Sequence, residues 1–121
     1  MSLKRLLCVD DEPEQLEILS EYFAGRYEVS VALSGEVALE RFTRERPDAV
    51  FLDINMPGMD GVEVLRRLRE VDRSVAVVMV TANTDVAIAE ECLKGGALGY
   101  VPKPYNLKYM DHMAAMATDH R

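Results

Sequence analysis

No stretch of this chain approaches the roughly 20 uninterrupted apolar residues that a membrane-crossing helix needs. Cations are scarce: Lys and Arg number 14 against 21 Asp and Glu, a formal charge of −7. That balance argues against the duplex phosphate backbone as a direct ligand, because neutralising phosphates takes clustered Lys and Arg. Cysteine is limited to Cys8 and Cys92. The two are far apart and have no His or Cys at ligand spacing, which favours two reduced thiols over a disulfide or a zinc site. Met1 to Arg5 leads straight into a strand-like run and does not resemble a signal sequence. Internal repeats, low-complexity tracts and interdomain linkers are also missing. The expectation is one soluble, intracellular domain over residues 1–121, long enough to bury a core without staples, with no membrane contact and no direct nucleic acid binding.

What the chain does have is a set of apolar runs that each stop on a polar residue. Leu6 to Val9 stops on Asp10 and Asp11, Ala49 to Leu52 on Asp53, Val75 to Val80 on Thr81, and Gly99 to Pro102 on Lys103. A weaker, half-alternating run covers Tyr27 to Val31. Between the runs lie segments of helical period, so strand and helix alternate five times, which implies a parallel sheet with helices on both faces. Pro13 suits the first turn of a first helix with Leu16, Leu19 and Phe23 on one face, ended by Gly25. Ser34 is placed to cap a second helix with Ala38, Leu39 and Phe42 inward, stopped by Pro47. Asp60 and Glu63 have capping-box spacing before Leu65 and Leu68. Thr84 or Asp85 begins a fourth helix that Gly95-Gly96 ends, and Asn106 caps a fifth with Met110, Met113, Ala114 and Ala117 on its apolar side.

If the runs are neighbouring parallel strands, their carboxyl ends bring Asp10, Asp11, Asp53, Thr81 and Lys103 to one sheet edge, where open α/β sheets bind ligands. Carboxylates held about 4 Å apart repel by several kcal/mol at an effective dielectric near 20, so such a site favours a cation. An oxygen-only donor set suits Mg²⁺ or Mn²⁺ better than zinc. Asp53, alone at the end of the central run, is the candidate nucleophile for an aspartyl phosphate, with Asp10 and Asp11 as metal ligands. Thr81 and Lys103 offer a hydroxyl and an ammonium to phosphoryl oxygens. Taken singly, each has a plainer reading: the acids before Pro13 as a helix-start charge, Asp53 as a turn residue, Thr81 as a cap, Lys103-Pro104 as a solvent-facing turn. Their shared position at the same end of successive strands favours the site.

The stretches Val9 to Pro13, Asp53 to Gly61, Thr81-Ala82 and Lys103-Pro104 resemble, in order and at the usual distances, the signatures of the receiver domain of bacterial two-component response regulators. The resemblance covers the whole chain. It implies a flavodoxin-like, doubly wound (βα)5 α/β fold with a five-stranded parallel sheet in the order 2-1-3-4-5 and helices on both faces. It implies phosphoryl transfer to Asp53 from the phosphohistidine of a histidine kinase or histidine phosphotransfer protein. Asp11, Asp53 and the main-chain carbonyl of Asn55 would ligate Mg²⁺, with Asp10 acting largely through water. Thr81, Ala82 and Lys103 would hold the phosphoryl group, and the Lys103-Pro104 bond would be cis. Tyr100 would turn inward behind Thr81 on activation, changing how the surface of the fourth helix, fifth strand and fifth helix meets a downstream output domain or protein, or a second copy in a homodimer. Asn55 and Asn83 match the positions that modulate hydrolysis, and two short amides there predict a phosphoryl lifetime that is not extreme. Tyr105-Asn106 replaces the more usual Phe-Asp. The resemblance also implies a cytoplasmic phosphoprotein that is not an enzyme beyond phosphorylating and dephosphorylating itself.

Three other functions fit less well. A Mg²⁺-dependent aspartyl-phosphate phosphohydrolase needs a general acid, but Asp53-Ile54-Asn55 lacks a second carboxylate two residues on, and no lid-sized insertion exists. A phosphorylation-independent pseudo-receiver would not need the complete set Asp10, Asp11, Asp53, Thr81 and Lys103. A dinucleotide-binding domain would carry a glycine-rich phosphate loop where this chain has acids.

Overall fold

Strand and helix alternate five times in the computed structural model, which describes residues 3–82, 86–104 and 106–119. The elements are β1 (Arg5–Val9), α1 (Pro13–Phe23), β2 (Glu28–Ala32), α2 (Gly35–Glu45), β3 (Ala49–Asp53), α3 (Gly61–Val71), β4 (Ala76–Thr81), α4 (Val86–Lys94), β5 (Gly99–Pro102) and α5 (Leu107–Asp119). The strands form one sheet in the order β2-β1-β3-β4-β5, with every pairing parallel. This is the sheet order expected from the sequence. Among the described residues, no helix is long and apolar enough to cross a membrane.

Alternation along the strands splits the core in two, because successive side chains point to opposite faces. Leu7, Val9, Val50, Leu52, Val77 and Met79 pack with Phe42 of α2, Leu65 and Leu68 of α3 and Cys92 of α4. Leu6, Cys8, Phe51, Val78 and Val80 pack with Leu16, Leu19 and Phe23 of α1 and Met110, Met113 and Ala114 of α5. Both faces of β3 and β4 are therefore covered, and every residue of these two strands is buried. Each fully buried Leu, Val or Phe contributes on the order of 1.5–3 kcal/mol of transfer free energy. Burial of this kind pushes the Cys8 thiol up to about 12, so it stays protonated at neutral pH.

Local signals set the helix ends. Ser34 Oγ accepts from Val37 N at 3.2 Å and Asp60 Oδ1 from Glu63 N at 3.0 Å, capping α2 and α3. Asn106 Oδ1 accepts from Tyr109 N at 3.1 Å and caps α5. The reciprocal half of the Asp60 box does not form, because the Glu63 carboxylate instead holds Arg66 at 2.6 Å and Arg67 at 2.8 Å. α2 stops on a left-handed Arg46, whose N–H returns to Phe42 O, one residue before the expected stop at Pro47. The left-handed turn after α4 falls on Gly96, at φ 99°. The expected start of α4 at Thr84 or Asp85 lies outside the described residues, as does Tyr105.

Candidate functional site

Strand register levels the polar ends of the sheet. Val9 pairs with Leu52, Asp53 with Val80, and Thr81 with Pro102. Asp10, Asp53, Thr81 and Lys103 therefore leave four adjacent strands within about one residue of the same height, with strands about 4.8 Å apart. Backbone bonds carry the ladder past the strand ends and fix these residues: Asp10 N donates to Ala32 O at 3.1 Å, Ile54 N to Val80 O at 3.0 Å, and Lys103 N to Thr81 O at 2.8 Å. The Lys103-Pro104 peptide is cis, as expected.

The backbone after β3 is closely covered. Gly61, the first residue of α3, donates its N–H to Ile54 O at 2.8 Å. A Cβ on Gly61 would stand 2.3 Å from the Asp53 carbonyl oxygen and 2.6 Å from Ile54 Cα. Only glycine lets the start of α3 lie against the peptide that carries Asp53.

Lys103 follows the edge strand β5, and its long stem reaches past β4 to the centre of the sheet. Its Nζ lies 2.9 Å from Asp10 Oδ2, 3.2 Å from Asp53 Oδ2 and 3.9 Å from Glu12 Oε1. Asp10 is wholly buried and Asp53 is 2 % exposed, so the two carboxylates share one cation away from bulk water. Burial first, and then the Asp10 charge, push the Asp53 carboxyl up from 3.8 to about 6. The Lys103 ammonium and the Asn55 N–H, which donates to Asp53 Oδ1 at 3.2 Å, offset only part of this. Burial alone would lower the ammonium of Lys103, but the Asp10 and Asp53 carboxylates outweigh it and hold it above the usual lysine range.

A second linkage joins β3 to β4. Asn55 Nδ2 donates to Thr81 Oγ1 at 3.0 Å, while the Asn55 main-chain N–H serves Asp53. Asn55 is exposed at the rim and Thr81 is fully buried. The structure thus brings Asp10, Asp53 and Lys103 into direct contact, and Asp53, Asn55 and Thr81 into a hydrogen-bonded chain. Ala82 and Pro104 lie exposed beside them. Tyr100, paired with Met79 in the sheet, is half-buried and packs against the core cluster beneath α2, α3 and α4. Asn83 lies outside the described residues.

Among the described residues, the carboxylates that could share one ion are Asp10, Asp11 and Glu12, each offering one oxygen, and these three oxygens lie within 4.8 Å of one another. An all-oxygen set with no thiol or imidazole fits a hard divalent cation of the Mg²⁺ type. Asp53 joins this group through the Lys103 ammonium. Glu12 is the residue that sequence reasoning did not single out. It occupies the N-cap position of α1 but makes no side-chain cap, and its N–H instead donates to Asp10 Oδ1 at 3.0 Å. The signal was present in the run Asp10-Asp11-Glu12, where the third acid read as a helix-start charge.

Known proteins share this arrangement of chain and fold. The response regulator receiver domain family matches residues 6–115. Sporulation initiation phosphotransferase F of Bacillus subtilis is 36% identical over 108 residues, covering 88% of this chain and 87% of that protein. Chemotaxis protein CheY4 of Vibrio cholerae superposes with a TM-score of 0.90 at 28% identity, covering 96% of this chain and 99% of that one. A chain of the Borrelia burgdorferi CheX-CheY-BeF3-Mg²⁺ complex superposes with a TM-score of 0.86 at 28% identity, covering 93% of this chain and 88% of that one. Against several curated regulatory proteins the chain spans less than half of their length, between 23% and 46%.

Proposed function

The chain belongs to the response regulator receiver domain family of two-component signalling, and from that premise we propose that Asp53 is its phosphoacceptor. The donor is the phosphohistidine of a histidine kinase or histidine phosphotransfer protein. An Asp53 carboxylate oxygen takes the phosphoryl group as the phosphorus–nitrogen bond to the imidazole breaks. The observation that carries this reading is the buried Asp53 carboxylate 3.2 Å from Lys103 Nζ, beside a second buried acid. A carboxylate with a carboxyl near pH 6 and a fixed ammonium beside it is a nucleophile whose product charge is already partly matched.

Asp10, Asp11, Asp53 and the main-chain carbonyl of Asn55 would hold Mg²⁺, or Mn²⁺ in its place, with Glu12 close enough to share in it. When bound, the ion supplies the positive charge that lowers the cost of bringing a phosphoryl dianion to a carboxylate. The chain's own residues do the rest. Lys103 and the Thr81 hydroxyl meet phosphoryl oxygens beside the exposed Ala82, and the Lys103 N–H bond to Thr81 O, just before Pro104, fixes the Lys103 backbone. By the family pattern, Asn55 and Asn83 are the residues that modulate hydrolysis.

The response is a population shift in which Thr81 moves toward the phosphoryl group and Tyr100 follows. This alters the α4-β5-α5 surface toward an output domain, a downstream protein or a second copy of the chain. The domain works in the cytoplasm as residues 1–121 of a switch that phosphorylates and dephosphorylates itself and touches neither DNA nor membrane. Incubation with Mg²⁺ and acetyl phosphate, or with a phosphorylated kinase, tests the reading. Label is expected on the wild type and absent from Asp53→Ala. Label that persists in the variant overturns the assignment.

A further inference from the structure

Asn55 sits between the proposed phosphoacceptor and the proposed switch hydroxyl, serving each with a different group. Its main-chain N–H donates to Asp53 Oδ1, and its side-chain amide donates to Thr81 Oγ1. The side-chain bond joins residues 26 apart in sequence across two neighbouring strands and links an exposed side chain to a wholly buried one. A threonine χ1 occupies discrete staggered wells, so an amide bonded to the hydroxyl selects one of them.

We propose that the Asn55 side-chain amide is a positioning residue that holds the Thr81 hydroxyl toward the rim of the site in the free protein and releases it when a phosphoryl group arrives on Asp53. The inference rests on the phosphoacceptor reading above. Release is a change of rotamer: the Thr81 oxygen that accepts from Asn55 Nδ2 at the rim swings into another well when its hydrogen is donated to a phosphoryl oxygen. The Asn55-Thr81 bond joins two neutral groups, whereas a hydroxyl donating to a phosphoryl oxygen makes a charge-assisted bond roughly twice as strong. The latch therefore yields to the phosphoryl group and opposes the loaded state by what one neutral hydrogen bond is worth. Phosphorylation must overcome that bond each time. Asn55→Ala removes the latch yet keeps both main-chain groups of residue 55, including the N–H on Asp53.

Two measurements test it. In metal-free protein, three-bond couplings to the Thr81 methyl carbon report its χ1. The wild type is expected to show one rotamer, and Asn55→Ala an average over two or more. A titration with beryllofluoride and Mg²⁺, read by NMR, then compares wild type, Asn55→Ala, Thr81→Ala and the double variant. Asn55→Ala is expected to bind about threefold to tenfold more tightly than wild type, the net worth of one such bond. The gain should vanish in the Thr81→Ala background, a non-additivity that general loosening of the loop would not produce. A single unchanged rotamer in Asn55→Ala, binding no tighter than wild type, or additive effects each overturn the latch while leaving the phosphoacceptor reading intact. If the wild type takes up no beryllofluoride at all, both fall together.

Discussion

Replacing Asp53 with asparagine should make the protein more stable at neutral pH. The buried Asp53 carboxyl is raised from 3.8 to about 6, so its ionised form is disfavoured in the folded state by about two pH units. At 1.36 kcal/mol per unit, that is about 3 kcal/mol. The introduced amide is a near-isosteric, uncharged stand-in for the protonated acid, and its carbonyl can still accept from Asn55 N–H. The sign follows from linkage. Below about pH 4 both folded and unfolded wild type hold the proton and the group has no effect. Between about pH 4 and pH 6 the unfolded chain ionises while the folded state keeps its proton, and the wild type loses that stability. Asp53→Asn has nothing to titrate there, so the gap between variant and wild type should grow from near zero at about pH 4 to about 3 kcal/mol at about pH 7.5. Urea denaturation followed by circular dichroism, in EDTA across that range, measures it. A variant no more stable than wild type at neutral pH would rule out a raised Asp53 carboxyl, and so would a gap that survives acidification.

Three further outcomes are expected. Gly61→Ala should cost about 1–3 kcal/mol or more, because its Cβ would meet backbone at 2.3 Å, and should reduce acetyl phosphate labelling below the melting temperature; an unchanged melt and unchanged labelling would contradict the close approach. Ser34→Ala should lose about 1 kcal/mol with the cap on Val37 N, seen as a melting temperature lower by a few degrees, and an identical melt would mean the cap contributes nothing. Mg²⁺ should raise the stability of wild type at neutral pH by about 2.7 kcal/mol at a hundredfold excess over its dissociation constant, and Asp11→Asn should flatten that dependence. Parallel curves for the two proteins would remove Asp11 from the ion site.

The fold was readable because both codes were strong. β3 and β4 appear as unbroken apolar runs since both their faces are covered, and helices such as α3 and α5 show one apolar stripe with a capping residue at its start. The site was readable as a coincidence of strand ends, which parallel register converts directly into proximity. The pairing of Asn55 with Thr81 was not, because a hydrogen bond between side chains 26 residues apart leaves no trace in periodicity or spacing. Glu12 is hard to read for a related reason: an acid before a helix has a generic use, and only the folded turn, in which Asp10 accepts its N–H, brings its oxygen near those of Asp10 and Asp11. The stop of α2 at Arg46 shows the limit of punctuation, since a left-handed residue other than glycine ended the helix before the proline could.

The reach of Lys103 has a mechanical consequence. β5 is a short strand of four residues with a single neighbour, yet the side chain that follows it is moored by charge to two acids near the middle of the sheet. Any redistribution of negative charge on Asp53 therefore tugs on one margin of the sheet, without having to pass through the tightly filled interior between.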